Sequence, residues 1–412
     1  MRCSLLILLL LFSASRVNAQ DSLDIKIGQM ILTGFPKAEV DPVLLESVRQ
    51  GKVGSIIIFE KNIPAKNSFL GLKKITWTYQ HAAPVPLFIA IDQEGGRVNR
   101  LKEKYGFPRS VSAAKLGKSS LDSVKFYSQI TAATLAGLGV NVNFAPVVDL
   151  ASNPDNPIIA DLERAFSKNA DSVALFATTF IREHHQLGVL TALKHFPGHG
   201  SSLSDTHLDM TDVTDTWSEK ELTPYAKLLR DGMVDAVMTA HIVNGRLDQN
   251  KLPATLSPAI IDSLLRRGLQ FNGVVFSDDM QMHAISKHYS FEESVKLAIL
   301  AGVDILCFTN NIQGSQERTV DKVHGIIRNF VTTGVIPADR IEQSYRRIMT
   351  LKQRLGTTQA AYYRMKWAEA ESEAVRMKQL ADERALALES EKQAQEAFTE
   401  KQSGNSKKKK KK

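Results

Sequence analysis

Residues 194–207 read Lys-His-Phe-Pro-Gly-His-Gly-Ser-Ser-Leu-Ser-Asp-Thr-His, which places a lysine, three histidines and an aspartate around Gly198 and Gly200. An apolar run over 188–193 precedes them and reads as a strand. A strand fixes Lys194 and His195 at its end, while the glycines and serines let the chain carry Asp205 and His207 away and back. Histidine, with an ordinary pKa of about 6.5, gives and takes protons near neutrality. This is how a catalytic loop reads. A second acidic segment, 273–280 (GVVFSDDM), ends another apolar run with two successive aspartates, Asp278 and Asp279.

The elements that must position these groups are periodic. Apolar, β-branched runs recur at 30–35, 54–59, 86–92, 140–149, 189–195, 236–241, 273–278 and 303–309, with helical patterns between them. Eight such runs predict an α/β fold, a single (β/α)8 barrel of the TIM type, whose strands are buried on both faces and so read as continuous apolar stretches. An open doubly wound sheet is the alternative. The polar residues favour the barrel: Asp92 ends the third run, Asp149 the fourth, Lys194 and His195 the fifth, His241 the sixth, and Asp278 and Asp279 the seventh. One such aspartate reads as a helix cap. Five successive runs ending in ionisable groups read as one site at the C-terminal face of a closed barrel.

These segments, with 91–100 (IDQEGGRVNR) and 163–167 (ERAFS), resemble glycoside hydrolase family 3 in its β-N-acetylglucosaminidase branch, and the resemblance covers about residues 24–355. It implies a retaining, exo-acting enzyme that removes terminal N-acetylglucosamine from peptidoglycan fragments or chitooligosaccharides, with a small carbohydrate as partner and with no metal and no cofactor. Such a reaction needs an anionic nucleophile under the anomeric carbon and a proton donor beside the leaving oxygen. The resemblance assigns the nucleophile to Asp278, the first acid after Ser277. Alternation along the strand would point Asp279 the other way, to cap a helix or bond a neighbouring loop. The proton donor is implied at His207, oriented by Asp205, since a carboxylate partner stabilises the protonated ring.

Asp92 and Arg100 are implied in binding sugar hydroxyls, Arg164 in bordering the pocket, and Lys194 and His195 in contacting the ring. His241 is expected on the pocket floor, with a satisfied core histidine as the other reading. Glu94 and Arg97 are expected to pair, His199 to shape its loop rather than hold zinc, and His184 and His185 to lie on the surface. Ser201-Ser202 stand where the branch commonly has Asp-Thr, a departure that bears on loop conformation and leaving-group specificity. The rivals are a family 3 β-glucosidase, an N-acetylglucosaminide phosphorylase, and a glycan-binding barrel without catalysis.

Residues 1–19 carry an early Arg2, an apolar run over 5–12 and the small residues before position 20, the pattern of a secretory signal. The run is too short to cross a bilayer. The expectation is a soluble, exported protein, periplasmic or extracellular, with the barrel over 20–356, a closing helix over 338–355, a charged and partly helical extension over 357–406, and a lysine tail over 407–412. A coiled-coil partner helix is the alternative for the extension. Loss of the signal would remove Cys3 and leave Cys307, which permits no intramolecular disulfide and reads as a buried structural thiol. The net charge of +8 is misleading: six charges are the terminal lysines and two are Arg2 and Arg16, which leaves 20–406 neutral. No basic stripe backed by aromatics remains to bind nucleic acid.

Overall fold

The computed structural model describes residues 23–206, 208–311 and 319–355. The readings of 1–19, 357–406 and 407–412 lie outside the described residues, as does His207. Eight strands, β1 (Ile31–Gly34), β2 (Ser55–Ile58), β3 (Phe88–Ile91), β4 (Val142–Asn143), β5 (Leu190–Phe196), β6 (Ala236–Thr239), β7 (Val274–Asp279) and β8 (Ile305–Phe308), form a closed barrel in chain order. All pairs are parallel, and β1 hydrogen-bonds to both β2 and β8. The fold is the expected (β/α)8 barrel, and the open-sheet alternative is ruled out by that closure.

The strands are shorter than the apolar runs. The fourth shrinks most, because Pro146 has no N–H to offer a ladder, so Asp149 stands in the loop beyond β4 rather than at its end. The sixth run splits: β6 stops at Thr239, and Ile242–Val243 pairs instead with Thr211–Asp212 in a small two-stranded sheet. That sheet ties the loop after β5 to the loop after β6.

Inside the barrel the Phe276 ring meets Phe88 and Phe144 at centroid separations of 6.3 and 5.1 Å, so the interior is packed rather than a pore. At the N-terminal end Lys352, 4% exposed, donates to Gln29 Oε1 at 2.6 Å and to the Gly54 carbonyl at 2.8 Å. The surrounding helices begin where short polar side chains accept their orphan N–H groups. Asp41 does so for Pro42–Arg49, Asn169 for Ala170–Gln186 and Ser290 for Phe291–Ala301.

His184 and His185 correct the surface expectation. On helix Ala170–Gln186, Val173, Ala177, Phe180 and His184 recur at helical spacing and form one buried stripe. His184 is therefore fully buried, bonded to the Phe180 carbonyl at 2.9 Å and Asn143 Nδ2 at 3.1 Å. Burial lowers its pKa to about 3, so the ring is neutral. His185 pairs with Asp235 at 2.6 Å.

Candidate active site

The segment after β3 braces itself. The Gln93 side chain accepts from the N–H groups of Arg100 and Leu101, each at 3.1 Å, and donates to Asn99 at 2.7 Å. Gly95 turns the chain at φ 97°, and a Cβ there would overlap the Val111 carbonyl oxygen. Arg100 is thereby brought back against Asp92, 3.1 Å from its carboxylate, with its guanidinium over the Phe59 ring at 5.1 Å.

Lys194, its side chain 3% exposed, reaches Asp92 at 2.8 Å and Glu94 at 2.7 Å. Arg164 grips Glu94 through two parallel bonds of 2.8 Å, the bidentate geometry that favours arginine over lysine. The expected Glu94–Arg97 pair is thus corrected: Arg97 is exposed, and Glu94 turns inward to two buried cations. Burial alone would raise the Glu94 pKa, but Arg164 and then Lys194 pull it down to about 2. Asp92, opposed by Lys194 and then Arg100, is likewise held below its ordinary value against the effect of burial.

Behind this cluster Asp149 accepts from His195 Nδ1 at 2.6 Å, from the His195 N–H at 3.1 Å and from the His199 N–H at 2.8 Å. Arg164 Nη2 lies 3.1 Å from His195 Nε2. A guanidinium can only donate, so Nε2 accepts and the ring proton sits on Nδ1, facing Asp149. Glu94 and Asp149 are members of the cluster to which the sequence reading assigned no specific role in binding or catalysis, although Asp149 ends one of the runs that mark the site. Spacing places Asp149 at the end of an apolar run and shows nothing of its partner.

Lys194 and Asp278 both stand where a strand gains a residue. Between Leu193 and Phe196, β5 advances three residues while β6 advances two. Between Phe276 and Asp279, β7 does the same against β8. A bulge re-aims side chains and suspends strict alternation. Lys194 and His195 accordingly both line one cavity, and Asp278 and Asp279 both line another. Only Asp278 lines the first cavity, but both aspartates reach the second, where alternation does not separate them and their bonding does. Asp279 accepts from the Gln281 N–H at 3.1 Å and the Thr309 N–H at 3.3 Å, as well as from the Thr309 hydroxyl. Burial raises its pKa to about 6.

The first cavity, about 300 Å³, brings together Asp92, Arg100, Arg164, Lys194, His195, Asp205 and Asp278. That volume is at the lower end for small-ligand pockets. His241 stands apart from this set. It is 1% exposed, with Nδ1 against the Thr255 hydroxyl at 2.8 Å and Nε2 donating to the Asp279 carbonyl at 2.9 Å, and so holds the end of β7 in place.

The loop after β5 is anchored along its first half. Asn156 donates to the His199 and Gly200 carbonyls, and Asn153 to that of Ser202. His199 engages Ser202 Oγ at 2.6 Å and Thr206 Oγ1 at 3.3 Å. Burial, and then the neighbouring His195, lower its pKa to about 4. Ser202 therefore has a definite task in holding the loop. Among the described residues no group of three or more His, Cys, Asp or Glu is placed to hold a metal ion.

A closed parallel barrel whose third, fifth and seventh strands deliver charged side chains to one polar cavity defines a (β/α)8 enzyme architecture. Residues 22–351 match the family model described as the N-terminal domain of glycosyl hydrolase family 3, and the chain belongs to that family. It is 35% identical over 283 residues to a β-hexosaminidase of Tolumonas auensis, covering 67% of this chain and 81% of that protein. It is 31% identical over 340 residues to β-hexosaminidase A of Pseudoalteromonas piscicida, covering 78% of this chain but only 56% of that protein.

Among solved structures, the family 3 β-N-acetylglucosaminidase of Paenibacillus sp. str. FPU-7 superposes with a TM-score of 0.74 at 34% identity, covering 81% of this chain and 62% of that one. The β-N-acetylhexosaminidase of Beutenbergia cavernae gives 0.73 at 27% identity, covering 81% and 98%.

Proposed function

We propose that the chain is a retaining, exo-acting β-N-acetylglucosaminidase that removes terminal β-linked N-acetylglucosamine from peptidoglycan fragments or chitooligosaccharides. The observation that carries this reading is the convergence of Asp278 and Asp205 on one cavity whose floor is the Asp92–Lys194–Glu94–Arg164 network. Relatives named β-hexosaminidase and β-N-acetylglucosaminidase support the acetamido sugar.

In the first step the Asp278 carboxylate attacks the anomeric carbon, the glycosidic C–O bond breaks, and His207 delivers its proton to the leaving oxygen. In the second, His207 takes a proton from water, the resulting oxygen nucleophile attacks the same carbon, and Asp278 departs as carboxylate. Asp205 orients His207 in both steps. Asp92, Arg100, Arg164, Lys194 and His195 hold the ring. Residues 1–19 support export to the periplasm or beyond, and among the described residues no helix is long and apolar enough to cross a membrane.

The test is release of aryl alcohol from an aryl β-N-acetylglucosaminide and from the matching β-glucoside, with and without phosphate, beside Asp278→Asn. The expected result is phosphate-independent turnover of the acetamido sugar alone, abolished in the variant. Turnover that survives Asp278→Asn would refute the nucleophile, and silence on both substrates from folded protein would refute the enzyme.

A further inference from the structure

The helix Ser68–Ala82 faces two environments. Leu72, Ile75, Thr76 and Tyr79 turn inward, where the Thr76 hydroxyl donates to the Leu138 carbonyl at 2.5 Å and the Tyr79 hydroxyl accepts from the Asp41 N–H at 2.8 Å. On the opposite side Leu70, Lys74, Trp77 and His81 recur at helical spacing and are all exposed, Leu70 by 63% and Trp77 by 58%. A single exposed apolar side chain needs no explanation. Leu70 and Trp77 stand two turns apart on one face, about 10 Å along the axis, and so form a stripe. His81 stacks on the Trp77 ring at a centroid separation of 3.9 Å, which gives the indole a fixed place on that face.

The charge of this segment is one-sided. Between Glu60 and Asp92 the sequence holds Lys61, Lys66, Lys73 and Lys74 and no acid. The helix Pro42–Arg49, packed against it, adds no net charge, since its one acid, Glu46, lies 3.6 Å from Arg49. Lysines flanking a leucine and a tryptophan suit a helix that lies in a membrane interface. The ammonium groups meet anionic headgroups while the indole and the alkyl chains enter the acyl boundary. A helix of another protein fits less well, because Lys74 and His81 interrupt the stripe where a helical seam needs apolar side chains. None of residues 61–87 lines the cavity that holds Asp278, so contact on this face leaves that lining untouched.

We propose that the outer face of helix Ser68–Ala82 is a docking surface for an anionic phospholipid bilayer, with Leu70 and Trp77 inserted at headgroup level and Lys66 and Lys74 on the lipid phosphates. The full chain carrying Trp367→Phe keeps Trp77 and the buried Trp217 as its emitters. Its fluorescence is followed as vesicles with brominated acyl chains are added, made of phosphatidylcholine with phosphatidylglycerol or of phosphatidylcholine alone. Bromine quenches an indole only at close range. Quenching is expected with the anionic vesicles and not with the neutral ones. In co-sedimentation, Trp77→Ala and Lys74→Glu should each weaken binding to the anionic vesicles about tenfold.

Both side chains point outward, so neither substitution reaches the core. The six terminal lysines also offer charge to an anionic surface. Sedimentation without quenching, unchanged by Lys74→Glu, would assign binding to those lysines and overturn the helix as the docking surface. Absence of any vesicle binding overturns it equally. A response of Trp77 to soluble peptidoglycan fragments but not to vesicles would overturn the lipid and make a glycan the occupant of this face.

Discussion

Replacing Glu94 by Gln keeps the shape of the cluster floor and removes one charge from it. Three anions, Asp92, Glu94 and Asp149, stand among three cations, Arg100, Arg164 and Lys194. In Glu94→Gln, an amide oxygen at the Oε1 position still accepts from Arg164 Nη2 and Lys194 Nζ, but the amide nitrogen then faces Arg164 Nε and the charge opposing both cations is gone. A carboxyl held at about 2 instead of the ordinary 4.5 has its ionised form stabilised by about 3 kcal/mol. Breaking a buried pair from one side costs about 3–5 kcal/mol by an independent route, so the two estimates agree. The side chain is only 4% exposed, which leaves little solvent screening to discount.

The sign of the pH dependence follows. The folded pKa lies below the unfolded one, so this stability is fully present above about pH 4.5 and is lost as the pH falls toward 2. Equilibrium urea unfolding should therefore show Glu94→Gln about 3 kcal/mol less stable at pH 7, with the deficit narrowing as the pH is stepped down from 4.5. A deficit that stays constant with pH would show that lost shape, not lost charge, is responsible. No deficit at pH 7 would refute the network as a source of stability.

Two further substitutions probe the supports of the site. Glu221, 1% exposed, accepts from Ser152 at 2.8 Å and the Leu150 N–H at 3.3 Å, and burial, then the charge of Asp149, raise its pKa to about 7. Its folded pKa is above the ordinary 4.5, so stability falls as the pH rises between these values. Glu221→Gln should be more stable than the parent by about 3 kcal/mol at pH 8 and equal to it below pH 4.5; a gain independent of pH in the same unfolding series would contradict this. Gly200→Ala would drive a Cβ into the Leu150 carbonyl oxygen. Displacing the loop that carries Asp205 should cost about 10²-fold in kcat/KM on an aryl acetamido glycoside, and full activity would show that the loop adapts.

Much of the barrel was legible because parallel strands buried on both faces leave a plain apolar signature, and because polar residues at their ends mark one face. Asp92, Lys194, His195 and Asp278 stand out that way, Arg100 entered through the family resemblance, and all five line one cavity. Pairing was not legible. Nothing in IDQEGGRVNR distinguishes Arg97 from Arg164 as the partner of Glu94, since that choice depends on which loop folds over the barrel mouth. His184 was misplaced because a histidine in an otherwise polar dipeptide hides the stripe it completes with Val173, Ala177 and Phe180. The split between Asp278 and Asp279 was argued from alternation, which fails where β7 gains a residue against β8.

That failure is itself informative about how the site is made. A regular strand would show the cavity one of any two neighbours, and a barrel mouth built from regular strands would present few groups per strand. The extra residues in β5 and β7 let Lys194 and His195, and Asp278 and Asp279, serve the same face. The added groups are then sorted by bonding. Lys194 has three N–H donors and spends two on Asp92 and Glu94, while Arg100 Nε is buried with no hydrogen-bond partner among the described residues. A floor whose charges are balanced but whose donors are not all used has no strong preference for an anion. It offers directional bonds to a neutral polyhydroxyl ligand, which is the chemistry a sugar ring presents.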